Sequence, residues 1–508
     1  MTSAAPEGAP APHRAVLAVD QGTTNTKALL VTAAGSVLSS ASRAVGVRCP
    51  RPGWVEQDAS ELWTATADAA RAAISAMPEV EVVGLALSTQ RESAIAWHAG
   101  TGEPLGPVLG WQDARTAPEC DLLRDAWGAA VERTTGLPLD PMYSAPKLRW
   151  LIDAAVRDGV DVEQIRVGTV DSWLLHRLTG RHLTEAGNAS RTLLLDLHGL
   201  RWSEELLEAF SVPASALPEV LASDGDFGAV GRIPGLERLE GVPVLAVMAD
   251  SHAALYAQGC RRPGQAKATY GTGSSVMTPC ESSAVAAGSG VTTTLAWLTS
   301  CGATYALEGN IIASGSALEA VARWLGLDGG AAVSAVAASA PDSGGVALVP
   351  AFAGLGAPYW DREAQGVVTG LTTGTTREQL ARAALEGVAH QVADVVEAME
   401  RATGIDLDVL NADGGATASG LLMQLQADLV GRPVRVADVA EASALGVAQL
   451  AWTRSGAPAP ATGEGRMYVP LLDRASRDRQ RAVWAAAVAR SRGIGVGARA
   501  DAHHERKN

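Results

Sequence analysis

The order of apolar and polar positions along the chain predicts alternating strands and helices. The run Ala15-Val16-Leu17-Ala18-Val19 is continuously apolar, as in a strand buried on both faces, and it stops at Asp20-Gln21-Gly22-Thr23-Thr24-Asn25-Thr26. A second apolar run, Ala28 to Val31, follows the polar turn at once, so the two segments predict a hairpin whose Gly-Thr loop can face a ligand. Residues 60–77 have helical spacing, and Val80 to Ser88 reads as another buried strand. Helix between strands at these intervals predicts an α/β layer architecture.

The same grammar restarts in the second half. Gly264 to Tyr270 leads into Gly271-Thr272-Gly273-Ser274-Ser275, and Val276-Met277 resumes an apolar run, which points to duplication of one domain plan. Leu380, Ala384, Val388, Val392, Val395 and Met399 share one face of a long helix that stops at Gly404. Val409 to Ala416 then predicts a strand ending in a glycine turn, with a helix from about Ser419 to Leu429. Residues 1–13 form a Pro- and Ala-rich lead-in expected to be disordered, without the charged and apolar regions of a signal peptide. After about residue 485 the chain turns Arg-, Gly- and His-rich, and 486–508 is expected to be a mobile tail. No Pro/Ser linker divides the halves; the boundary is placed just after Ala249-Asp250-Ser251-His252.

Charge narrows the partners. Of 508 residues 41 are Lys or Arg and 55 are Asp or Glu, a formal charge of −14, which disfavours nucleic-acid and anionic-membrane surfaces because both demand clustered positive charge. No stretch approaches the roughly eighteen apolar residues of a membrane span. The five cysteines have no CxxC or metal-ligand spacing, so a reducing, cytoplasmic setting without a structural metal is expected.

Three Gly- and Thr-rich turns, at 20–26, 271–275 and 413–416, each follow a buried strand. Glycines let backbone N–H groups approach a phosphate, and Thr hydroxyls add uncharged donors; any one such turn is also an ordinary hairpin corner. None matches GxxxxGK[ST] or GxGxxG, so neither a P-loop nor a dinucleotide fold is supported. The chain has only four lysines, and Lys27, Lys147 and Lys267 all lie in or beside distinctive segments, with Lys507 in the tail. Lys27 reads either as a point charge for phosphates or as a solvated strand-edge charge.

Asp20-Gln21-Gly22-Thr23-Thr24, Pro52 to Asp58 (PGWVEQD), Gln90-Arg91-Glu92, Trp111 to Thr116 (WQDART), Asn188 to Thr192 (NASRT), Tyr270-Gly271-Thr272-Gly273 and Gly354 to Asp361 (GLGAPYWD) together resemble the FGGY carbohydrate kinases, and within them the glycerol-kinase branch. The likeness runs in order from about residue 15 to 455. It implies two ribonuclease-H-like domains of the actin-type ATPase class with the active site in the cleft between them: a polyol-binding domain over 14–252 and a nucleotide-binding domain over 253–485. The implied reaction is ATP- and Mg²⁺-dependent phosphorylation of a terminal hydroxyl of a small polyol, glycerol first, with a longer polyol or ketose of tetritol, xylulose or ribulose type as the alternative. A homo-oligomer is also implied.

The same resemblance assigns roles. Asp20 would hold Mg²⁺; Thr23, Thr24 and Lys27 would lie about the transferred phosphoryl group; Thr272 and Gly273 would contact phosphates; Gly415 and Ala416 would lie against the nucleotide, with Gly315 and Leu318 near adenine. Arg91, Glu92, Trp111, Tyr143, Asp250 and Ser251 would surround the polyol. The chemistry agrees: a sugar hydroxyl is a poor nucleophile at neutral pH, and a carboxylate that accepts its proton assists in-line attack. Asp250, ending a buried run, is the candidate base, and helix capping is its alternative use. Arg91 and Glu92 offer forked donors and paired acceptors to vicinal hydroxyls, with surface charge as the alternative, and Trp111 and Tyr143 offer an apolar wall, with plain core as the alternative for either.

Three positions depart from the pattern of glycerol kinases: Ser251 for a usual Gln, Ser275 for an aromatic and Ser419 for an Asn. The first two predict a roomier, more polar pocket. Two other classes remain for comparison, a chaperone- or actin-like ATPase and a polyol sensor without turnover; the first needs no Arg91-Glu92 site, and the second needs neither Asp20 nor Asp250. A kinase of this kind is expected to close on its substrates and to hydrolyse ATP slowly without polyol.

Overall fold

The computed structural model describes residues 13–283, 288–437, 441–457 and 465–494. Residues 1–12 of the expected lead-in and 495–508 of the expected tail lie outside them. The chain forms two compact units. Among described residues the first takes 13–257, 295–303 and 441–457, and the second the remainder.

The first unit is built on a five-stranded sheet. Its strands are β1 (Arg14–Gln21), β2 (Asn25–Val31), β3 (Val37–Ala44), β4 (Glu81–Thr89) and β5 (Val244–Ala249), in the order β5-β4-β1-β2-β3. β1, β2 and β3 form an antiparallel meander, while β1, β4 and β5 run parallel. The apolar run of β1 is buried throughout Ala15–Val19, so helices cover both faces of this sheet: α1 (Ala59–Ser75) packs on β2 and β3, and the helix Ala442–Arg454 on β1, β4 and β5. Asp58 caps α1 by accepting from the N–H groups of Ser60 and Glu61. A second core in the same unit gathers Tyr143, Leu148, Leu151 and Leu193 around the helix Ser144–Arg157 and the strand Ala94–His98.

α2 (Asp250–Ala257) starts directly at the end of β5. The helix Ala442–Arg454 lies against it so closely that a Cβ on Gly446 would stand 1.9 Å from the Ala253 carbonyl oxygen. This contact explains why the unit extends to residue 257 and takes in 441–457, where the sequence reading divided the chain once, after 252. Gly446→Ala is expected to destabilise the first unit by about 1–3 kcal/mol through overpacking and to lower kcat, because α2 carries Asp250. Thermal unfolding and steady-state kinetics on the same preparation check this.

The second unit repeats the plan. β6 (Gln265–Tyr270), β7 (Ser274–Cys280), β8 (Thr292–Thr299), β9 (Gly302–Ile311), β10 (Val409–Asp413), β11 (Val434–Val436) and β12 (Arg466–Tyr468) lie in the order β8-β9-β7-β6-β10-β11-β12, residues 295–303 of β8, β9 and their turn being the part counted with the first unit. β6 pairs antiparallel with β7 and parallel with β10, as β1 does with β2 and β4, so the duplicated grammar of the sequence is a duplicated sheet. Its core is covered by α3 (Gly315–Trp324), α4 (Arg377–Thr403) and α5 (Gly420–Val430). α4 begins in a Thr376/Gln379 capping box and ends at left-handed Gly404, the stop read from the sequence. Ser419 accepts from the Leu422 N–H as the N-cap of α5, a structural use of one of the three departing serines.

One expectation is corrected here. Residues 486–491 do not begin a mobile tail; they complete the helix Arg474–Ser491, whose Trp484, Ala487, Val488 and Ser491 are buried at helical spacing. The Trp484 indole N–H donates to Asp394 at 2.7 Å, fixing this helix to α4.

Candidate active site

In the first unit the site residues gather where the parallel strands end. Asp20 and Gln21 close β1, β4 runs out through Thr89 into Gln90-Arg91-Glu92, and β5 gives way to Asp250. The register sets Asp20 beside Ser88, and both Gln21 and Ala249 beside Thr89, so one sheet end carries three polar corners. The carboxyl ends of parallel strands are the usual ligand face of open α/β sheets.

Asp20 lies opposite Lys27 in the hairpin and accepts from the Ser88 hydroxyl at 2.8 Å. Burial, and next the negative charge of Asp250, push its carboxyl up to about 7; Ser88 and Lys27 pull it down, and Glu441 adds to the rise. Two carboxyl groups that repel each other form a seat for a divalent cation, which would relieve the repulsion. Among the described residues no three metal-ligating side chains converge, so such an ion would take most of its shell from water and phosphate, the habit of Mg²⁺. Lys27 Nζ meets Glu441 Oε2 at 2.6 Å, in the stretch that returns to this unit.

Arg91 and Asp250 meet directly. Arg91 Nε stands 3.4 Å from Asp250 Oδ1 and 3.9 Å from Glu92 Oε1, with Arg91 and Glu92 nearly buried and the Asp250 side chain about one-third exposed. Asp250 Oδ1 also accepts from the Ser251 N–H at 2.6 Å, and the Asp250 carbonyl accepts from Ser443 Oγ. Asp250 is thus the first residue of α2 rather than its N-cap, and this contact is compatible with a catalytic use of the carboxylate. Glu92 occupies left-handed backbone space, φ 61°, at the centre of a tight turn closed by the Ser93 N–H on the Arg91 carbonyl. Such a conformation in a non-glycine residue costs on the order of 1–3 kcal/mol and has to be held by its surroundings. The buried Arg191 guanidinium does part of this, donating from Nε to Glu92 Oε1 at 2.7 Å, and its plane lies 5.3 Å from the Tyr143 ring.

Trp111 joins the two corners: its indole N–H donates to Thr23 Oγ1 at 3.1 Å and its backbone N–H to Ser93 Oγ. The rest of its motif holds that loop in place. Asp113 accepts from Val55 N and from Arg115, whose guanidinium also reaches Glu56 and stacks 3.7 Å over Trp54. The PGWVEQD and WQDART segments thus form one buried clamp with Trp111 at its rim. Three buried amides brace the phosphate turn: Gln90 Nε2 donates to Gln21 Oε1 and Gln57 Oε1, each at 3.0 Å, and Gln57 Nε2 to the Thr23 carbonyl at 2.8 Å. Gln57, Arg191, Glu441 and Ser443 received no role from sequence reasoning; the motif positions of Gln57 and Arg191 were the available signal, and 441–443 gave none.

In the second unit the Thr272 carbonyl accepts from the N–H groups of Ser314 and Ser316 and from Ser316 Oγ, and the Gly271 carbonyl from Gly315 N–H. The turn at 271–273 is thereby fastened to the first turn of α3. Glycine is required on both sides: a Cβ on Gly273 would lie 2.3 Å from the Ile311 carbonyl oxygen and one on Gly315 2.6 Å from that of Gly271. Gly414, φ 93°, turns the chain beneath Tyr270 and leaves Gly415 exposed and Ala416 half-buried. Asp413, just before this turn, accepts from Gln258. Ser275 Oγ stands 3.2 Å from the buried Glu308 carboxyl.

Two of the expected site residues have buried side chains. Leu318, expected near adenine, points into the core of the second unit at 4% exposure, since the apolar face of α3 packs inward. Tyr143, expected as a polyol wall, is fully buried in the core beside Ser144–Arg157. The first unit brings together Asp20, Thr23, Lys27, Arg91, Glu92, Trp111 and Asp250, with exposed Thr24 on the same turn and Ser251 beside Asp250.

Comparison with known proteins identifies the family. The N-terminal domain of the FGGY family of carbohydrate kinases matches residues 15–257 and its C-terminal domain residues 266–454. A curated relative, glycerol kinase of Alkalilimnicola ehrlichii, is 42% identical over 94% of this chain and 99% of its own length. Among solved structures, Plasmodium falciparum glycerol kinase with ADP superposes with a TM-score of 0.87 at 28% identity, covering 94% of this chain and 98% of that one. Xylulose kinase from Rhodospirillum rubrum does so at 0.79 and 26%, covering 93% and 97%. The chain belongs to the FGGY family of carbohydrate kinases, and it is an ATP-dependent kinase with the two-domain α/β fold of that family. Among the described residues no helix is long and apolar enough to cross a membrane.

Proposed function

We propose that the protein phosphorylates the terminal hydroxyl of glycerol, giving glycerol 3-phosphate, with the polyol held by the first unit and the nucleotide mainly by the second. The observation that carries this reading is Arg91, whose Nε lies between the carboxylates of Asp250 and Glu92. One buried cation thereby orients a proton acceptor and a pair of hydroxyl ligands at a single strand end, an arrangement that fits a vicinal polyol. Asp250 would accept the hydroxyl proton as the oxygen attacks, and Arg91 and Glu92 would fix the neighbouring hydroxyls. Trp111 and Thr23, already hydrogen-bonded, would bring the polyol wall and phosphate turn into one frame. Thr24 and Lys27, with Thr272 and Gly273 in the second unit, would hold the transferred group and its neighbours; Gly315, Gly415 and Ala416 would give the nucleotide close backbone approach. Leu318 would contribute only by shaping the core beneath. Phosphorus NMR of the product from glycerol and Mg·ATP tests the reading, the expected signal being glycerol 3-phosphate.

Asp20 would hold Mg²⁺, which neutralises charge on the phosphates during transfer. Because the carboxyl is pushed up to about 7, the cation has to displace a proton below that pH. Apparent Mg²⁺ affinity is therefore expected to fall as pH drops through 7, approaching about tenfold per unit, and Asp20→Asn is expected to weaken it and flatten this dependence. Mg²⁺ titrations of activity between pH 6 and 8 measure both. The placement of Ser275 beside Glu308 favours a second reading, a more polar pocket that takes a four- or five-carbon polyol or ketose. A cytoplasmic homo-oligomer completes the proposal; the five cysteines are free thiols, as a reducing compartment requires, and light scattering reports the mass in solution.

A further inference from the structure

Three of the four lysines stand in or beside distinctive segments, and the proposed reaction uses only Lys27. Lys147 is fully buried in the first turn of the helix Ser144–Arg157. Its Nζ donates to two carbonyl oxygens, that of Met142 at 2.6 Å and that of Glu92 at 3.3 Å. Ser144, one turn earlier on the same helix, donates its hydroxyl to the Glu92 carbonyl at 3.0 Å. Burying an ammonium among neutral carbonyls is costly, and a core position could be filled by leucine or methionine without that cost. Burial brings Lys147 down to about 7, opposed by the negative groups facing it, Glu92 first and then Asp113, Asp140 and Cys120.

The two donors converge on the one residue of the polyol corner that needs holding. Glu92 has its backbone at φ 61° within the turn from Arg91 to Ser93, and its carbonyl accepts from both Ser144 and Lys147. Relaxing this turn would swing the Arg91 and Glu92 side chains, and with Arg91 the contact to Asp250. We propose that Lys147, together with Ser144, is a positioning residue for the polyol: the helix start grips the Glu92 carbonyl and so sets where the Arg91 and Glu92 side chains stand. The inference rests on the assignment of Arg91 and Glu92 to the polyol. Lys147 touches neither substrate, so its loss acts through geometry, where displacements of about 1 Å cost up to about 100-fold.

The test is the steady-state kinetics of Lys147→Met and Ser144→Ala, varying glycerol at saturating Mg·ATP and Mg·ATP at saturating glycerol. The expected result is a glycerol KM raised about tenfold in Lys147→Met and about threefold in Ser144→Ala, with the Mg·ATP KM within about twofold of wild type. A merely structural lysine would lower the amount of active enzyme, and so the apparent kcat, without separating the two KM values. Wild-type turnover with an unchanged glycerol KM in folded Lys147→Met overturns this inference alone. If that variant does not fold, an unchanged glycerol KM in Ser144→Ala overturns it. Absence of polyol turnover by the wild type overturns the functional reading and this inference with it.

Discussion

Asp250→Asn is expected to lower kcat with glycerol by about 10³-fold while changing the glycerol KM by less than about threefold. The replacement keeps the shape of the side chain and an oxygen that can accept from the Ser251 N–H, so α2 keeps its start. What it removes is the proton acceptor, and with it the route by which the attacking hydroxyl becomes an alkoxide. An effect in kcat rather than KM separates this from loss of a binding contact. The variant carries a second signature. Asp250 is one of the two main causes that raise Asp20, so its neutralisation lets Asp20 ionise at lower pH, and the Mg²⁺ dependence shifts to lower pH with it. A structural capping role for Asp250 predicts neither the 10³-fold loss nor this shift.

Arg91→Met is expected to lower kcat/KM for glycerol by about 100-fold, mostly through KM. The guanidinium is about nine-tenths buried and faces Asp250 at 3.4 Å and Glu92 at 3.9 Å. Methionine fills much of the volume but takes the cation away from Asp250 and leaves Glu92 to Arg191, and breaking a largely buried ion pair costs several kcal/mol. Part of that cost falls on folding, and part appears as a raised pKa of the base, which moves the acid limb of the kcat profile to higher pH. Arg91→Lys restores charge but not the fork, so recovery is expected to be partial. Initial rates over a glycerol series at several pH values measure all three effects.

The elements most legible in the sequence were those where one periodicity runs to a glycine. β1 and β2 around the Gly-Thr turn, the face of α4 ending at Gly404 and the strand leading to Gly414 follow from local pattern, although β10 also pairs with the distant β6. The repeated strand-turn-strand unit was visible for the same reason, and the matching sheet orders are its consequence. Association of the helix Ala442–Arg454 with the first unit was not legible: it depends on Gly446 meeting Ala253, nearly two hundred residues apart, with no change of composition between. The helix Arg474–Ser491 was hidden by its arginines, of which Arg474, Arg479 and Arg490 face outward while Arg481 turns in to Asp394 and Glu397, and by alanines whose small burial carries a weak signal. At the site, charged residues announced themselves, whereas Gln21, Gln57 and Gln90 act as uncharged braces that only the folded chain brings together. Leu318 and Tyr143, assigned from resemblance, have side chains that pack in the cores of their units.

The most direct test of the proposed activity is ADP release from Mg·ATP with glycerol, erythritol, threitol, xylitol, xylulose, ribulose or dihydroxyacetone, each beside a reaction without polyol. The account predicts release near background without polyol, and the highest kcat/KM with glycerol. A higher kcat/KM with a longer substrate would replace glycerol by the second reading. Rapid release that no polyol increases would contradict the account, because it would leave the Arg91, Glu92 and Asp250 cluster without a substrate to orient.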